Sequence, residues 1–497
     1  MTILLSTLNA RYAHASLGLR YLLANMGALQ EQTRLKEFVI GTRVADIVEK
    51  LLAEKPRIIG FGVYIWNVDD VTEVVALLKL LAPEIVIILG GPEVSYECGE
   101  QAVVKQADYV ITGWGDISFP KLCQAVLHGP KPLMKIHAGE QPPVDQIALP
   151  YALYSDEDIA HRTLYVEASR GCPFKCEFCL SALDKTAWPF ELDRFLAEME
   201  ALYQRGARVF KFVDRTFNLN VKTSLRILQF FLDKLNAYPN DPVFAHFELV
   251  PDHLPEALKE RIQQFPSGAL QFEIGIQSFN PEVQALVSRK QDNDKAASNL
   301  RWLREQSQAH LHVDLIAGLP GEDLDSFARG FDKLVGLRPH EIQFGILKRL
   351  RGTPIIRHTE TYKLVFDPAP PYTILATDRL DFATMQRLVR FARYWDLVAN
   401  SGRFATTLPT LLADAPFARF IAFSDWLYAK TDATHRIALD RLAVLVTQWL
   451  CLQGADHIEV ASLIAQDHAG KVASSVPRRS KIVTAVVPQR QARHLAA

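Results

Sequence analysis

Short runs of β-branched and aliphatic residues alternate with stretches of helical apolar spacing along most of the chain, and this alternation restricts the fold more than any other feature. The stretch Val71–Leu81, for example, places apolar residues at the spacing of an amphipathic helix. Strands and helices that alternate in this way predict an α/β fold with a doubly wound parallel sheet over residues 1–140. The strands expected there are Thr2–Leu8, Phe38–Gly41, Arg57–Ile65, Ile85–Leu89 and Asp108–Ile111.

The loops that follow these strands carry residues suited to a ligand site. Ligands of doubly wound sheets lie beyond the carboxyl ends of the strands. Glycines there let a ligand approach the backbone closely, and aromatic side chains can flank a large flat ligand. Each loop on its own also fits an ordinary turn, but several on one sheet edge favour a binding site. The candidate contacts are Asn9, Tyr64, Trp66, Gly90, Gly91, Gly113 and Gly115.

A second series of strands and helices begins after a proline-containing segment, which we interpret as a linker over residues 141–162. Six βα units then predict an open, partial barrel over residues 163–360. Helical spacing without strand signals indicates a helical domain over residues 361–497, including Thr377–Ser401 and Ala438–Leu452. The barrel strands expected are Thr163–Glu167, Arg208–Val213, Val243–Glu248, Leu270–Gln277, Leu311–Ile316 and Glu341–Leu347.

The composition disfavours several classes of function. Lys and Arg number 55 against 56 Asp and Glu, and this net charge of −1 gives no electrostatic reason to expect a nucleic-acid partner. No apolar run approaches the ~18 residues that span a bilayer, so membrane insertion is not expected. The first residues do not resemble a signal peptide. Six cysteines, three of them clustered, favour a reducing cytoplasm and a metal site over disulfides.

Residues 471–497 carry basic side chains and no acidic ones. A basic segment of this kind is usually solvated, and we interpret it so. The alternative is that Arg490 and Arg493 bind a carboxylate or phosphate of the substrate.

The strongest chemical signal is the sequence Cys172-Pro-Phe-Lys-Cys176-Glu-Phe-Cys179, directly after the first expected barrel strand. Structural zinc prefers a fourth Cys or His at a finger-like spacing, and no such residue is evident nearby in the sequence. A ferredoxin-type cluster takes four cysteines. A cluster of four irons bound by three thiolates leaves one iron open to a substrate or cofactor.

In this position the three cysteines resemble the CxxxCxxC motif of the radical S-adenosylmethionine (SAM) enzymes. Segments near the other strands resemble the same family, and the first domain resembles the Rossmann-like cobalamin (vitamin B12)-binding domain that precedes one large branch of it. The resemblance covers about residues 1–355. The flanking segments are Glu167-Ala-Ser-Arg-Gly171, Val213–Asn218, Glu273–Phe279, Asp314–Glu322 and Arg351–Pro354.

The resemblance implies cofactor contacts for particular residues. A [4Fe–4S] cluster binds the three cysteines, and its open iron binds SAM through the amino and carboxylate groups. Phe178 is expected near the adenine, Gln277 and Ser278 near the ribose or methionine moiety, and Gly318 and Gly321 against the nucleoside. The implied cluster ligands are Cys172, Cys176 and Cys179.

Three acidic residues keep two interpretations, and no catalytic residue is assigned. Asp214 and Glu248 lie near the ends of expected strands, where a barrel places its chemistry. A structural end-of-strand or capping role fits these two residues equally well. Glu322 either belongs to the site or caps the helix that follows it.

Two features depart from the cobalamin-binding pattern. The motif Asp-x-His-x-x-Gly, whose His binds cobalt in many such domains, is absent. His14 has neither the Asp nor the spacing, and we interpret it as structural rather than as a cobalt ligand. Relatives usually have Gly-Glu-Gly-Glu where this chain has Gly113-Trp-Gly-Asp116, so Trp114 is expected at most to shield the ligand.

The resemblance implies an enzyme that cleaves SAM with its reduced cluster and, with methylcobalamin, methylates an unactivated carbon of a small-molecule substrate. Two alternatives stay open: a cobalamin-dependent cyclase or rearranging oxidoreductase without methyl transfer, and a cobalamin or SAM sensor without turnover. An external electron donor such as flavodoxin or ferredoxin is implied, and the expected location is the cytoplasm. The sequence does not identify the substrate, the cobalt axial ligand, the role of the helical domain or the oligomeric state.

Overall fold

The computed structural model describes residues 2–472, which divide between two compact units. The first unit contains the chain up to Arg215 together with Lys348–Ile356 and Asp367–Tyr372. The second contains the rest of the described chain. The basic segment that includes Arg490 and Arg493 lies outside the described residues.

The first unit begins with a parallel six-stranded sheet in the order β2-β1-β3-β4-β5-β6. Alternate residues of its buried central strands point to opposite faces, so two separate apolar cores form, one on each side. The strands are β1 (Ile3–Asn9), β2 (Thr33–Val39), β3 (Ile58–Gly62), β4 (Val86–Gly90), β5 (Tyr109–Thr112) and β6 (Ile136–Ala138). The helices are α1 (Leu17–Ala24), α2 (Val44–Leu52), α3 (Val68–Leu81), α4 (Ala102–Gln106) and α5 (Ser118–His128).

Two strands of this sheet differ from the sequence prediction. The second strand begins at Thr33, and the predicted segment Phe38–Gly41 overlaps only its last two residues. Charged residues fill β2 because it is an edge strand, which hides the apolar signal. Strand β6 pairs with β5 through Val110 and Ile136 and was not predicted, since it has only three residues.

The remainder of the first unit holds a short hairpin and the first two barrel strands. β8 and β9 pair in antiparallel fashion and enclose the cysteine motif. Helix α6 lies within the segment predicted as a linker. The elements are α6 (Asp156–His161), β7 (Leu164–Val166), β8 (Ser169–Gly171), β9 (Ala187–Pro189), α7 (Leu192–Gln204) and β10 (Val209–Phe212).

Strands β7 and β10 belong to the second six-stranded sheet, whose order β14-β13-β12-β11-β10-β7 follows the chain without crossing. This is the predicted succession of six parallel strands with intervening helices, so the expected α/β fold class is confirmed. The second unit supplies α8 (Val221–Ala237), β11 (Phe244–Leu249), α9 (Glu256–Ile262), β12 (Leu270–Gln277), α10 (Pro281–Leu286), α11 (Asn293–Gln306), β13 (His310–Ala317), α12 (Leu324–Gly336) and β14 (Glu341–Ile346).

The barrel strands of the second unit present a polar face. Along β12, buried apolar residues alternate with half-buried Gln271, Glu273, Gly275 and Gln277. Period-two alternation of this kind separates an apolar face, which packs on the helices, from a polar inner face.

The C-terminal region is helical, as predicted, except for a small hairpin. Strands β15 and β16 pair in antiparallel fashion where no strand was expected. Helix α13 begins at Phe382 because the Asp381 side chain accepts a hydrogen bond from Thr384 N at 2.8 Å. The elements are β15 (Val365–Phe366), β16 (Ile374–Ala376), α13 (Phe382–Val398), α14 (Leu408–Leu412), α15 (Pro416–Thr431), α16 (Leu439–Leu452) and α17 (His457–Val472).

Asn400, which follows α13 by two residues, attaches this helical region to β14. Asn400 donates from Nδ2 to Ile342 O at 2.9 Å and accepts from Ile342 N at 2.9 Å. Aromatic packing continues the junction, since the Phe331 ring of α12 meets the Trp395 ring edge to face with centroids 4.8 Å apart.

Candidate functional site

A cavity of about 310 Å³ lies at the carboxyl ends of β3, β4 and β5 in the first unit, and we call it the glycine-lined cavity. Its size is that of a small-molecule site. Helices α1 and α5 form its other walls through residues such as Leu19 and Phe119. Five of the predicted cobalamin contacts line it: Tyr64, Gly90, Gly91, Gly113 and Gly115.

The glycines of this cavity are required for different reasons. Gly91 has a φ of +108°, and a Cβ there would lie 2.5 Å from the carbonyl oxygen of Val63. Gly113 has a φ of +72° but faces open space, with nothing within 4 Å of an added Cβ. A Cβ on Gly60 would lie 2.7 Å from the Phe119 ring. Protein packing therefore requires Gly60 and Gly91, whereas Gly113 borders open space in which a ligand could approach the backbone.

Two predicted cobalamin contacts do not line the glycine-lined cavity. Asn9 is buried and donates to His14 O at 2.9 Å and Glu37 Oε1 at 3.0 Å, so its amide organises the loop after β1. Trp66 stacks on Tyr64, with ring centroids 4.4 Å apart. The Trp66 ring is 46% exposed and thus covers Tyr64 from outside.

Arg170 lines the same cavity and was not singled out by the sequence analysis. Its guanidinium donates to Asp116 Oδ2 at 2.9 Å and to Glu167 Oε1 at 2.9 and 3.1 Å. The rings of Tyr21 and Trp114 each lie 4.6 Å from its central carbon. Burial by itself lowers the pKa of Arg170, but the carboxylates of Glu167 and Asp116 raise it well above its ordinary value. The guanidinium charge is therefore compensated by carboxylates of the protein itself.

The cysteine loop, residues 172–179, begins two residues after Arg170 and lies between β8 and β9. Cys172 and Cys176 are buried and Cys179 is half-buried. Burial, together with the neighbouring thiols of Cys179 and Cys176, raises the pKa of the Cys172 thiol to about 11. Gly171 starts the loop with a φ of +90°, and a Cβ there would lie 2.4 Å from Thr186 O.

Three nearby thiols are the donor set of an iron–sulfur cluster, in which different cysteines bind different irons. Across residues 2–472, no group of three or more His, Cys, Asp or Glu side chains is drawn together tightly enough to hold one metal ion.

The cysteine loop is also attached to two later segments of the first unit. Ile355 N donates to Glu177 O at 3.0 Å. In the same segment, Arg351 Nε donates to Glu93 Oε1 at 2.7 Å, and the Tyr372 hydroxyl donates to that oxygen at 2.6 Å. The segment expected after the sixth barrel strand therefore bridges the first sheet and the cysteine loop.

The first unit also contains two of the ambiguous polar residues. His14 Nδ1 is hydrogen-bonded to the Tyr165 hydroxyl at 2.5 Å and does not line the glycine-lined cavity. Asp214 accepts from Ala168 N at 3.0 Å and from the Ser169 hydroxyl at 2.7 Å. Burial raises the pKa of Asp214 to about 7. Both contacts of Asp214 fix the chain between β7 and β8.

Of the residues predicted to contact SAM, four lie in the second unit, whereas half-buried Phe178 lies in the cysteine loop. Gln277 ends β12 with a φ of +68°, at a bulge in its pairing with β13. Ser278 donates its hydroxyl to Glu322 Oε1 at 2.6 Å. Burial raises the pKa of Glu322 to about 7, and Asp323 rather than Glu322 caps α12.

The two glycines after β13 are positioned by packing within the second unit. Gly318 has a φ of +86°, and a Cβ there would lie 2.5 Å from the Ile374 side chain. Gly321 has a φ of +78°, and its Cβ would lie 2.8 Å from Leu286. Glu248 lies on β11 in register with Glu273 of β12, on the polar inner face of the strands.

Comparison with known families gives three matches along the chain. Residues 4–123 match the B12 binding domain, residues 166–334 match the radical SAM superfamily, and residues 360–468 match a family described as "Protein of unknown function (DUF4080)". The chain thus combines a B12-binding domain with a radical SAM domain. Its cofactors are those of the two domains: SAM, a [4Fe–4S] cluster and cobalamin.

Curated relatives resemble part of the chain. The "Uncharacterized methyltransferase PH0819" of Pyrococcus horikoshii is 28% identical over 252 residues, which are 44% of this chain and 53% of that protein. The "2-(S-pantetheinyl)-carbapenam-3-carboxylate methyltransferase" of Streptantibioticus cattleyicolor is 23% identical over 338 residues, 61% of this chain and 49% of that protein. The chain therefore spans about half the length of these relatives.

Two solved structures share the fold. The radical SAM methyltransferase TsrM from Kitasatospora setae has a TM-score of 0.58 at 17% identity and covers 77% of this chain and 81% of its own. The cobalamin-dependent radical enzyme OxsB has a TM-score of 0.62 at 13% identity and covers 100% and 83%. At these identities the likeness shows the architecture alone.

The match to the radical SAM superfamily also indicates which kinds of partner are relevant. Radical SAM enzymes generally need a reductant and a small-molecule substrate. Within residues 2–472, no helix is both long and apolar enough to cross a bilayer.

Proposed function

We propose that this protein is a cobalamin-dependent radical SAM methyltransferase that methylates a carbon atom of a small molecule. The observation that carries the proposal is the direct connection between its two cofactor regions. Arg170 of β8 forms part of the wall of the glycine-lined cavity, and Cys172, the first predicted cluster ligand, follows two residues later.

A second contact strengthens the connection. Trp114 lines the cavity and donates its indole Nε1–H to Asp184 Oδ1 at 3.4 Å, after the cysteine loop. Methyl transfer from a corrin to a substrate radical, formed when the SAM-derived radical takes a hydrogen atom, would require the two cofactors to act in one shared space. A chain that joins both regions through β8 and Trp114 meets this requirement.

The cofactors supply the reductive cleavage of SAM and the methyl group, while the chain binds, orients and excludes water. We assign cluster ligation to Cys172, Cys176 and Cys179, and the burial of Cys172 and Cys176 limits access of water. We assign the SAM contacts to Phe178, Gln277, Ser278, Gly318 and Gly321. Glu322 acts as a positioning residue, since its carboxyl holds the Ser278 hydroxyl.

The finer assignments of partner and location belong to the same proposal. Flavodoxin or ferredoxin would supply the electron, because a low-potential one-electron donor is required. None of the six cysteines, all of which lie in the described part of the chain, forms a disulfide, and this fits a reducing cytoplasm.

The proposal is tested with protein reconstituted anaerobically with iron and sulfide, then mixed with SAM, dithionite and hydroxocobalamin. We expect cluster-dependent formation of both 5′-deoxyadenosine, which reports radical cleavage, and S-adenosylhomocysteine, which reports methyl donation. Cys176→Ala should abolish 5′-deoxyadenosine. Cys451→Ala removes a half-buried cysteine outside the motif and should change the yield less than twofold.

The outcomes separate the alternatives. Deoxyadenosine without S-adenosylhomocysteine, with every candidate substrate, would contradict methyl transfer and favour a rearranging enzyme. Neither product from a protein with an intact cluster would contradict turnover and favour a sensor.

A further inference from the structure

A second cavity, of about 470 Å³, lies in the second unit between the barrel strands and the C-terminal helices. Pro339, His340 and Ile342 line it at the beginning of β14, while Trp395 and Leu412 line it from α13 and α14. The chemistry of a βα barrel lies at the carboxyl ends of its strands. This cavity lies at the amino end of β14, so it is separate from the proposed active site.

The walls of this cavity are apolar, but its charged residues are all of one sign. Arg304 and Arg338 line it, and among the described residues that line it none is acidic. The two arginines are adjacent, because Arg304 Nε donates to Arg338 O at 2.9 Å. Partial burial and the charge of Arg338 lower the pKa of Arg304. We call this the arginine-bearing cavity.

The nearest acidic contact of these arginines is weak. Glu305 Oε1 lies 4.0 Å from Arg338 Nη2, and the two side chains are 46% and 72% exposed. An exposed ion pair at that distance contributes little. Two cations therefore face each other at a ligand-sized cavity without a buried counter-charge.

The cavity wall also includes a buried aromatic side chain. Trp395 is only 4% exposed and lines the cavity, yet its indole Nε1–H has no hydrogen-bond partner among the described residues. Because that nitrogen has no accessible surface, Trp395 offers the cavity an apolar ring rather than a hydrogen-bond donor.

We propose that the arginine-bearing cavity binds a small molecule with an anionic group and an apolar body. The anion contacts Arg304 and Arg338, and the apolar body contacts Trp395, Ile342 and Leu412. Carboxylates and phosphates share this anionic chemistry, and both form paired hydrogen bonds with guanidinium groups. The site is made jointly by the barrel and the C-terminal helices, which gives those helices a binding role.

Occupancy has a structural consequence that can be measured. The cavity adjoins the Asn400–Ile342 contact that attaches the helices to β14. A ligand that binds only the folded junction raises its stability by mass action. We therefore expect the melting temperature of the full chain to rise with ligand concentration.

Isothermal titration calorimetry of the full chain tests the proposal with four probes: decanoate, decyl phosphate, decyltrimethylammonium and inorganic phosphate. We expect decanoate or decyl phosphate to bind at least tenfold more tightly than decyltrimethylammonium. Inorganic phosphate should bind more weakly than decyl phosphate, since it lacks the apolar body. The stronger of the two anionic probes identifies the head group.

Variants locate the site. Arg304→Gln combined with Arg338→Gln should weaken binding of the better probe at least tenfold. Arg301→Gln is the matched control, because Arg301 is an exposed arginine on the same helix that does not line the cavity. Ala405→Trp fills the lining and should abolish binding. Trp395→Phe should remove the change in tryptophan fluorescence that accompanies binding.

Three results would overturn the inference: no calorimetric signal with either anionic probe at millimolar concentration, equal affinity for the cationic probe, or unchanged affinity in the double variant. Circular dichroism establishes that each variant is folded. Arg338→Gln alone, at a side chain that is 72% exposed, serves if the double variant does not fold.

Discussion

The arginines of the two cavities differ in how their positive charge is compensated. In the glycine-lined cavity Arg170 is enclosed by two carboxylates and two aromatic rings, so its charge is balanced within the protein. In the arginine-bearing cavity Arg304 has another arginine as its neighbour. The difference teaches that an arginine in a cavity wall is architectural when its partners are present and a candidate ligand contact when they are not.

The largest effect is expected where the balanced charge is removed. Arg170→Gln leaves Asp116 and Glu167 as buried carboxylates without their cation, and breaking such a pair costs about 3–5 kcal/mol. Urea denaturation of the full chain measures this loss. Adding Asp116→Asn should recover part of it, because one uncompensated charge disappears. A loss below 1 kcal/mol would show that Arg170 is not structural.

The same comparison of charge compensation applies to a buried carboxyl group of the second unit, that of Glu322. Glu322 Oε2 has no hydrogen-bond partner among the described residues, and the folded-state pKa of about 7 exceeds the ordinary value of 4.5. Stability is therefore fully present below pH ~4.5 and is lost as pH rises to ~7, by up to about 3 kcal/mol.

Glu322→Gln should remove this pH dependence, since an amide oxygen still accepts from Ser278 and no charge is buried. Unfolding midpoints at pH 5 and pH 8 measure the effect. Glu282→Gln, at an exposed position on α10, is the control and should leave the wild-type dependence unchanged. Parallel profiles for wild type and Glu322→Gln would contradict the prediction.

Substitutions at two glycines of the glycine-lined cavity distinguish a packing role from a role in leaving space for a ligand. Gly91→Ala places a methyl group against Val63 O at positive φ, and we expect a loss of about 1–3 kcal/mol. Gly113→Ala enters open space and should cost about 1 kcal/mol from its φ alone. Gly113→Ala should nevertheless weaken hydroxocobalamin binding several-fold, measured by absorbance. Unchanged cobalamin affinity would place the corrin away from Gly113.

The smallest effect completes the comparison with Arg170. Arg304→Gln should change the unfolding free energy by no more than about 0.5 kcal/mol, because it removes a partly buried charge together with its repulsion from Arg338. The same denaturation experiment measures it. A loss comparable to that of Arg170→Gln would mean that Arg304 is balanced by the protein after all.

The sequence predicted those parts of the molecule that are periodic. The strand Leu270–Gln277 has the predicted bounds because eight residues alternate regularly between buried and half-buried positions. Strands β8 and β9 were missed because three residues each, Ser-Arg-Gly and Ala-Trp-Pro, show no period. Yet this hairpin encloses the cysteine loop.

The site residues that the sequence predicted are likewise those with a local sequence signal. Cysteine spacing is a local signal, and so are the glycines after β4 and β5. The role of Arg170 depends on Asp116, 54 residues away, and the arginine-bearing cavity combines segments from five helices and a strand. Contacts of this kind arise only from tertiary packing, and no single segment carries their signal.

The Asn400 amide has one more consequence, which concerns association between molecules. Strand β14 ends its sheet, and an open sheet edge offers unpaired N–H and C=O groups to another chain. Asn400 occupies both backbone groups of Ile342, as a paired strand would. The backbone of Ile342 is therefore not available to a strand of another molecule, which shortens the edge on which intermolecular pairing could begin.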